Sequence, residues 1–293
     1  MTPPPTATVW HSLRLADGSQ WRITAGDEAA ASIVAQLGHA MQLRLSPGVS
    51  GPAPCGSSYR LHVRVDAQAP AEIGYVPLAA ETGGAVAGVL RPCAHWGGSY
   101  VNFVRLSLIF ARQAEACGGV LIHGALAEWD GKGVILAAPG GTGKTTASER
   151  LPAPWRSLCD DTTLVVRDPR GQYWAHPWPT WSRFLEGGPG GTWDVQRAVP
   201  VAGIFCLTRA TANRVVPTGP AQAVSLLGEY AKQASTCMPL GLCQAAVRAL
   251  HLQRFENLCA LARAIPAHVL HIGLTGAFWQ ELERTLQPGV AHA

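Results

Sequence analysis

Apolar and polar residues alternate over several short segments in the first third of the chain. In residues 59–65 every second side chain is apolar, which is the period of a β-strand with one face in water. Weaker forms of the same pattern occupy residues 10–15, 21–25 and 41–45. Residues 46–58 and 80–88 are rich in small residues, glycine or proline, and we expect loops there. We interpret residues 1–95 as a small N-terminal α+β domain.

The spacing of apolar residues becomes helical after residue 96. One apolar stripe is formed by Val101, Val104, Leu108 and Ala111. Four later segments are almost entirely apolar: residues 120–122, 133–137, 163–166 and 201–207. Strands with so few polar positions are covered on both faces, as in the core of an α/β protein. Together with helical spacing in the C-terminal third, this predicts a second domain of the α/β class over residues 96–293.

Composition and charge narrow the classes of protein that fit. Of the 293 residues, 47% are hydrophobic and 14% are charged, which suits a compact protein with a full core. The net charge is only +4 and no run of Lys or Arg occurs, so a nucleic-acid partner is not expected. No apolar stretch approaches the roughly 20 residues of a membrane span, and the start lacks the features of a secretory signal. We therefore expect a cytoplasmic protein.

The eight cysteines show no CxxC spacing, and several lie within apolar runs. We interpret them as buried free thiols in a reducing compartment. The short segment Cys93-Ala94-His95 would hold a metal only with further ligands, which the sequence does not identify.

The segment 138–145 fits the pattern [AG]-x4-G-K-[ST] of a phosphate-binding loop, with Ala138 where glycine is commoner. Glycines allow the backbone to direct its N–H groups at an anion. Lys144 supplies a positive charge to the β- and γ-phosphates, and Thr145 supplies a hydroxyl for Mg²⁺. The predicted nucleotide-binding residues, for ATP or GTP, are Pro139, Gly140, Gly141, Thr142, Gly143, Lys144, Thr145 and Thr146. The alternative is a glycine-rich hairpin turn with an unrelated lysine.

Two adjacent carboxylates, Asp160 and Asp161, follow sixteen residues after Lys144. In a compact α/β unit this distance allows one short helix and a return beside the phosphate-binding loop. One carboxylate can then bind Mg²⁺ while the other accepts a proton from an attacking hydroxyl. Neighbouring residues of a regular strand point to opposite faces, so both serve one site only if the strand ends or bends there. The alternative is a helix cap followed by a solvated acid.

Two further segments carry candidate residues. His123 ends an apolar strand next to a glycine, and it is a candidate catalytic residue or a hydrogen-bonded structural one. Residues 174–184 contain three tryptophans and two prolines, for which we predict a stiff loop. Within that loop His176, Trp178 and Arg183 are the candidate substrate contacts. Tryptophans that fill the core are the equally open alternative.

The spacing of His123-Gly124, the Gly-Thr-Gly-Lys-Thr loop and Asp160-Asp161 resembles the catalytic core of HPr kinase/phosphorylase, a relative of phosphoenolpyruvate carboxykinase (PEPCK). A longer likeness is to the SynChlorMet cassette proteins (ScmC) and kindred HPr-kinase-like proteins of peptide natural-product clusters. Its matching stretches are residues 123–126, 154–156, 160–161, 174–184, 193–197, 254–257 and 276–279.

The resemblance implies an HPr kinase/PEPCK-like P-loop core with a mixed sheet. It also implies that Asp160 is the base, that Asp161 and Thr145 bind Mg²⁺, and that His123 lies near the transferring phosphate, with Lys144 on the nucleotide. The implied reaction is phosphoryl transfer from ATP to a Ser or Thr hydroxyl of a ribosomally synthesised precursor peptide or protein.

Three other functions share parts of this pattern. A small-molecule kinase would use every core residue. A carboxykinase-like enzyme would need extra metal ligands and an arginine for an oxyacid. A non-catalytic partner of a peptide-modifying enzyme would bind ATP without turnover. Contact with such an enzyme, or with a second copy of the chain, stays open at this point.

Overall fold

The computed structural model describes residues 10–46, 57–68, 75–77, 85–92, 96–181, 191–238 and 242–287, with only the backbone of 75–77 and 96–100. Two mixed β-sheets and six α-helices make up this part of the chain, which confirms the prediction of a mixed α/β protein. No helix within these ranges is long and apolar enough to cross a membrane.

The first sheet lies almost entirely within the first ninety residues. Its strands are β1 (Trp10–Arg14), β2 (Gln20–Ala25), β3 (Arg44–Ser46), β4 (Ser58–Val65), β5 (Tyr75–Pro77) and β6 (Ala85–Leu90). They are ordered β3-β1-β2-β4-β6-β5, and β2, β4 and β6 run parallel. Helix α1 (Glu28–Ala40), which periodicity alone did not predict, is capped by Asp27, whose carboxylate accepts from the Ala30 N–H at 2.7 Å.

The predicted loop at residues 80–88 is wrong for its last part, because Ala85 to Gly88 belong to β6. Small residues occur there because the strand packs closely against its neighbour, and not because the segment is a flexible loop. A Cβ atom on Gly88 would approach the Leu106 side chain to 3.2 Å, so the strand can lie this close to the next helix only without a larger side chain.

The second sheet has eight strands, and the long strand β7 organises it. The strands are β7 (Val120–Trp129), β8 (Lys132–Ala137), β9 (Arg156–Cys159), β10 (Thr162–Arg167), β11 (Tyr173–Trp178), β12 (Val199–Arg209), β13 (Arg214–Pro217) and β14 (Ala267–Ile272). The first part of β7 pairs with β10 and the second part with β8. β9 continues along the edge of β7 that β10 occupies, and β8 lies along the other edge; His123 lies opposite Thr162 of β10, and Gly124 lies opposite Ala137 of β8. The end of β8 and the start of β10 therefore lie on opposite sides of two adjacent residues of β7, His123 and Gly124.

The remaining helices are α2 (Trp96–Ala116), α3 (Lys144–Glu149), α4 (Pro220–Ala234), α5 (Gln244–Ala264) and α6 (Phe278–Leu286). Apolar side chains of both sheets form one cluster around α2, including Trp21, Phe110 and Val120. The Ala16 N–H also donates to His176 of β11 at 3.1 Å. The strands of the first sheet precede residue 95 in the sequence and those of the second sheet follow it, but apolar residues of both sheets share one core. The division into two domains at residue 95 stays a prediction.

Residues 174–178 form strand β11, so the predicted loop is wrong for this part of 174–184. Two prolines within one segment disfavour a central strand. Pro177 is tolerated because β11 pairs with β12 only at Trp174 and Ala175, which leaves the later residues unpaired on that side. Trp178 and Trp181 are buried, as the core-filling alternative expected, while residues 182–190 lie outside the described part of the chain.

Six cysteines fall within the described residues, and none forms a disulfide. Cys159 and Cys206 are buried, but Cys117 and Cys243 are exposed, so the prediction of buried thiols is wrong for these two. Within the described ranges no group of three His, Cys, Asp or Glu side chains is arranged to hold a metal. The segment Cys93-Ala94-His95 lies outside those ranges.

Candidate active site

The turn between β8 and α3 has the backbone conformation that a phosphate-binding loop requires. Gly141 and Gly143 have φ angles of 74° and 112°, a left-handed region that side chains disfavour. A Cβ atom on Gly140, Gly141 or Gly143 would meet nothing within 4 Å, so open space lies next to all three. These glycines therefore serve the conformation of the turn and leave room beside it for a ligand.

Arg209, the last residue of β12, holds the outer side of this turn. Its guanidinium donates to the carbonyl oxygens of Gly141 and Thr142, the latter at 3.3 Å. Since the C=O and N–H of one peptide unit point in opposite directions, the bond to Thr142 turns the N–H of Gly143 to the other side of the loop. The sequence analysis missed this residue, although an arginine that ends the strand beside β8 was a usable signal.

Lys144 is buried at the start of α3, and only 4% of its surface is exposed. Its Nζ lies 2.9 Å from Nε2 of His123, 3.5 Å from Oδ1 of Asp161 and 3.3 Å from the carbonyl oxygen of Ala138. Burial lowers the pKa of Lys144, and the negative charge of Asp161 partly offsets this effect. The ammonium is therefore held by neighbours in the protein, and both ring nitrogens of His123 lie within 3.5 Å of it.

His123 connects the phosphate loop to helix α4 through Gln233. The Nδ1 atom of His123 lies 3.0 Å from Oε1 of Gln233, and the same oxygen accepts from the Gly140 N–H at 3.3 Å. The Gly140 contact fixes which end of the amide is the oxygen, so Nδ1 of His123 carries the hydrogen of that pair. Gln233 is another residue that sequence reasoning missed, since it is an ordinary polar position in an amphipathic helix.

The chain bends between β9 and β10, which both pair antiparallel with β7, and this bend places both carboxylates beside the loop. Asp160 accepts from the hydroxyls of Thr145 at 3.2 Å and Thr180 at 3.1 Å, and it is 8% exposed. Asp161 lies instead with His123, 2.9 Å from Nε2. Burial opposes ionisation of Asp161, but His123 and Lys144 outweigh it, so the pKa of Asp161 is lowered and the group is a carboxylate at neutral pH.

Other predicted residues lie at various depths. Pro139, Gly140, Gly141 and Thr146 are exposed, and Thr142, Gly143 and Thr145 are half-buried.

His176 is buried away from this cluster, with Nδ1 2.7 Å from the Val195 carbonyl and Nε2 accepting from Ala16. Burial lowers the pKa of His176 to about 4. Both ring nitrogens serve the backbone, which favours a structural role for His176; Arg183 lies outside the described residues.

A cavity adjoins the cluster on the side of His123 and Asp161. Its volume is about 250 Å³, and its lining includes Trp178, Thr180 and Gln233. Trp178 is thus the predicted substrate residue that the structure brings near the carboxylates. The buried indole nitrogen of Trp178 has no hydrogen-bond partner among the described residues.

One family of known proteins matches the part of the chain that contains this site. The family described as SynChlorMet cassette protein ScmC matches residues 86–287, more than half of the chain. The match covers all of the second sheet and every residue of the cluster described above. No curated protein matches the chain.

Proposed function

The chain belongs to the family of SynChlorMet cassette protein ScmC, and from its geometry we propose that it is an ATP- and Mg²⁺-dependent kinase. The acceptor is the hydroxyl of a serine or threonine in a ribosomally synthesised precursor peptide or protein, and the reaction takes place in the cytoplasm. The observation that carries this proposal is the open glycine turn with Lys144 and two carboxylates beside it.

We propose an HPr kinase/PEPCK-like P-loop core for the second sheet. The order of strand β8, glycine turn and helix α3 supports this, as does the return of the chain to the same turn between β9 and β10. The sheet is mixed, with β8 and β14 parallel to β12 and the other pairs antiparallel.

In this proposal the triphosphate of ATP or GTP lies against the N–H groups of the glycine turn. Lys144 moves its ammonium from His123 and the loop carbonyls to the phosphates. The buried ammonium gains by this exchange, because negatively charged phosphate oxygens replace an imidazole and neutral carbonyl oxygens. Arg209 keeps the carbonyls of the turn away from the anion.

The oxygen donors beside Thr145 suit Mg²⁺, which favours a few carboxylates together with phosphate oxygens over an all-protein cage. Bound Mg²⁺ would neutralise charge that develops on the transferring group. The resemblance assigned Asp161 to the ion and Asp160 to the base. The hydrogen bond from Thr145 to Asp160 favours the reverse assignment, since P-loop enzymes hold Mg²⁺ with the loop hydroxyl and a neighbouring aspartate.

Asp161 and His123 then face the acceptor. The acceptor oxygen forms a bond to the γ-phosphorus, the bond between that phosphorus and the bridging oxygen of the diphosphate breaks, and the hydroxyl proton passes to the Asp161 carboxylate. His123 orients this carboxylate through the contact at 2.9 Å. Catalysis consists mainly of positioning and charge stabilisation, as is general for phosphoryl transfer.

Transfer of label from γ-labelled ATP to the precursor peptide tests the function, with Lys144→Ala as the inactive comparison. Asp160→Asn and Asp161→Asn both lose transfer, but only Asp160→Asn weakens Mn²⁺ binding in the presence of ADP, measured by electron paramagnetic resonance. Weaker Mn²⁺ binding in Asp161→Asn alone would restore the original assignment.

The rival functions correspond to other outcomes of the same experiment. Label that passes to a metabolite and not to the peptide identifies a small-molecule kinase. Tight ATP binding without transfer to any acceptor identifies a nucleotide-gated partner of a peptide-modifying enzyme, and either result ends the peptide-kinase proposal.

A further inference from the structure

The cavity beside Asp161, here called the acceptor cavity, has one polar end and apolar walls. Helix α2 contributes Val104 and Leu108, β7 contributes Leu121, and Ala234 ends helix α4 on the opposite side. Trp178 and Pro179 complete the apolar wall. With Thr162 of β10, the cavity is therefore built from five separate elements.

The polar end of the acceptor cavity is continuous with the phosphate loop. Asp161 lines the cavity and lies 3.5 Å from Nζ of Lys144. Gln233 also lines it and accepts from the Gly140 N–H of the glycine turn. A group in the cavity therefore contacts the same side chains that contact the loop, as an acceptor of the transferred phosphoryl group must.

Charge and size restrict which acceptor molecules can bind in the acceptor cavity. Among the described residues that line it, only His123 and Asp161 ionise, and both are engaged with the loop cluster. A phosphorylated or carboxylated metabolite would find no arginine or lysine on these walls to neutralise it. The volume of about 250 Å³ also lies below the roughly 300–1,000 Å³ of common small-molecule sites, so it suits one or two side chains of a longer chain.

Given the proposed kinase function, on which this step rests, we propose that the acceptor cavity binds an uncharged peptide segment. The Ser or Thr hydroxyl lies at the polar end beside Asp161. An aliphatic or aromatic residue adjacent to it in the peptide packs against Val104, Leu108 and Trp178. Burial of that apolar side chain contributes specificity, while an acidic or basic residue at the same position would be desolvated without a partner.

A panel of peptides tests the class of acceptor directly. The peptides carry one Ser flanked by Leu, Phe, Asp or Lys, and the readouts are kcat/KM for label transfer and the Kd for ADP. We expect the Leu and Phe peptides to exceed the charged ones by about tenfold or more, which corresponds to the loss of one well-buried side chain. Equal kcat/KM for all four would overturn the proposal while leaving the kinase function intact.

Two variants assign the preference to this cavity. Ala234→Trp fills it and should raise the KM for the Leu peptide without changing the Kd for ADP; Ala249→Trp, at an exposed position of α5, is the matched control. Val104→Glu places a carboxylate on the wall and should reverse the preference from the Leu peptide to the Lys peptide. Unchanged peptide selectivity in a folded Val104→Glu protein contradicts the proposal. Absence of transfer from wild-type protein to any peptide refutes the proposed peptide-kinase function instead.

Discussion

Two buried clusters of charge in this protein have opposite designs. Glu115 of α2 and Arg254 of α5 form a bidentate pair, with contacts of 3.1 and 3.0 Å, and Asn257 donates to the Glu115 and Gly119 carbonyls. In the second cluster no bidentate pair forms, because Nε2 of His123 and Nζ of Lys144 share one oxygen, Oδ1 of Asp161, beside the open glycine turn and the acceptor cavity. The first cluster is saturated by fixed partners, whereas the second keeps charge available for a ligand.

The difference explains why burial alone does not identify an active site. Burial raises the pKa of Glu115 while Arg254 opposes this effect, and burial lowers the pKa of Lys144 while Asp161 opposes it. The pKa values of Lys144 and Glu115 are therefore both shifted from their usual values. The two clusters are distinguished only by the geometry of their partners and by the open space beside the second one.

The largest effect is expected for Lys144→Met, which removes the charge of the open cluster and keeps the apolar stem. Phosphoryl transfer should fall by about a thousandfold, because the triphosphate loses its main counter-charge. The free energy of unfolding should not fall, since a desolvated charge is removed. Kinetics and thermal unfolding measure both, with the exposed Lys132→Met of β8 as the control.

Glu115→Gln tests the saturated cluster. It leaves the Arg254 charge buried without its partner, and the free energy of unfolding should fall by about 3 kcal/mol. The KM for ATP of the folded enzyme should not change. Urea unfolding monitors stability, and Glu281→Gln, in the exposed pair with Arg284, is the control. A variant of normal stability with lost activity would contradict the separation of the two clusters.

The dependence of stability on pH extends the comparison to His176. Burial lowers its pKa from 6.5 to about 4 in the folded protein. Between those values the unfolded chain binds more protons, so the stabilisation is complete above pH 6.5 and is lost as the pH falls towards 4, by up to about 3 kcal/mol. Unfolding measured from pH 4 to 7 should show this slope for wild type and for the exposed His251→Gln control, and a smaller slope for His176→Gln.

The smallest effect is expected for Gln233→Ala, which removes the link between Gly140 and His123. The value of kcat should fall by about tenfold, as is common for residues that orient a catalytic group, and the KM for ATP should change less. Gln222→Ala, an exposed position of the same helix, is the control. An effect on stability alone would show that Gln233 only anchors helix α4.

The sequence predicted the parts of the fold that local rules determine. The period of β4, the helix α2 and the glycine turn before α3 appear close to their expected positions, although Val101 of the predicted stripe is exposed and Asn102 is buried. Strand geometry requires that a strand end or bend at Asp160 and Asp161, and the structure has a bend there between β9 and β10. These features depend on neighbours within a few residues.

Long-range pairing set the limits of prediction. The prolines of residues 174–184 predict a loop, because the sequence does not show that one edge of β11 is free at Pro177. Arg209, Gln233 and Thr180 reach the site from elements that are distant along the chain, and their residue types are common on any surface. Their roles depend on the order of the strands, which no local pattern contains.

The hydrogen bond from Ala16 to His176 has a consequence for how the protein can be divided. His176 belongs to β11, the strand that ends with Trp178 in the wall of the acceptor cavity. A fragment that starts after residue 95 would leave that imidazole without its amide donor and would expose the apolar face that packs on Trp21. Truncation at the N-terminus is thus expected to loosen peptide selectivity before it abolishes nucleotide binding.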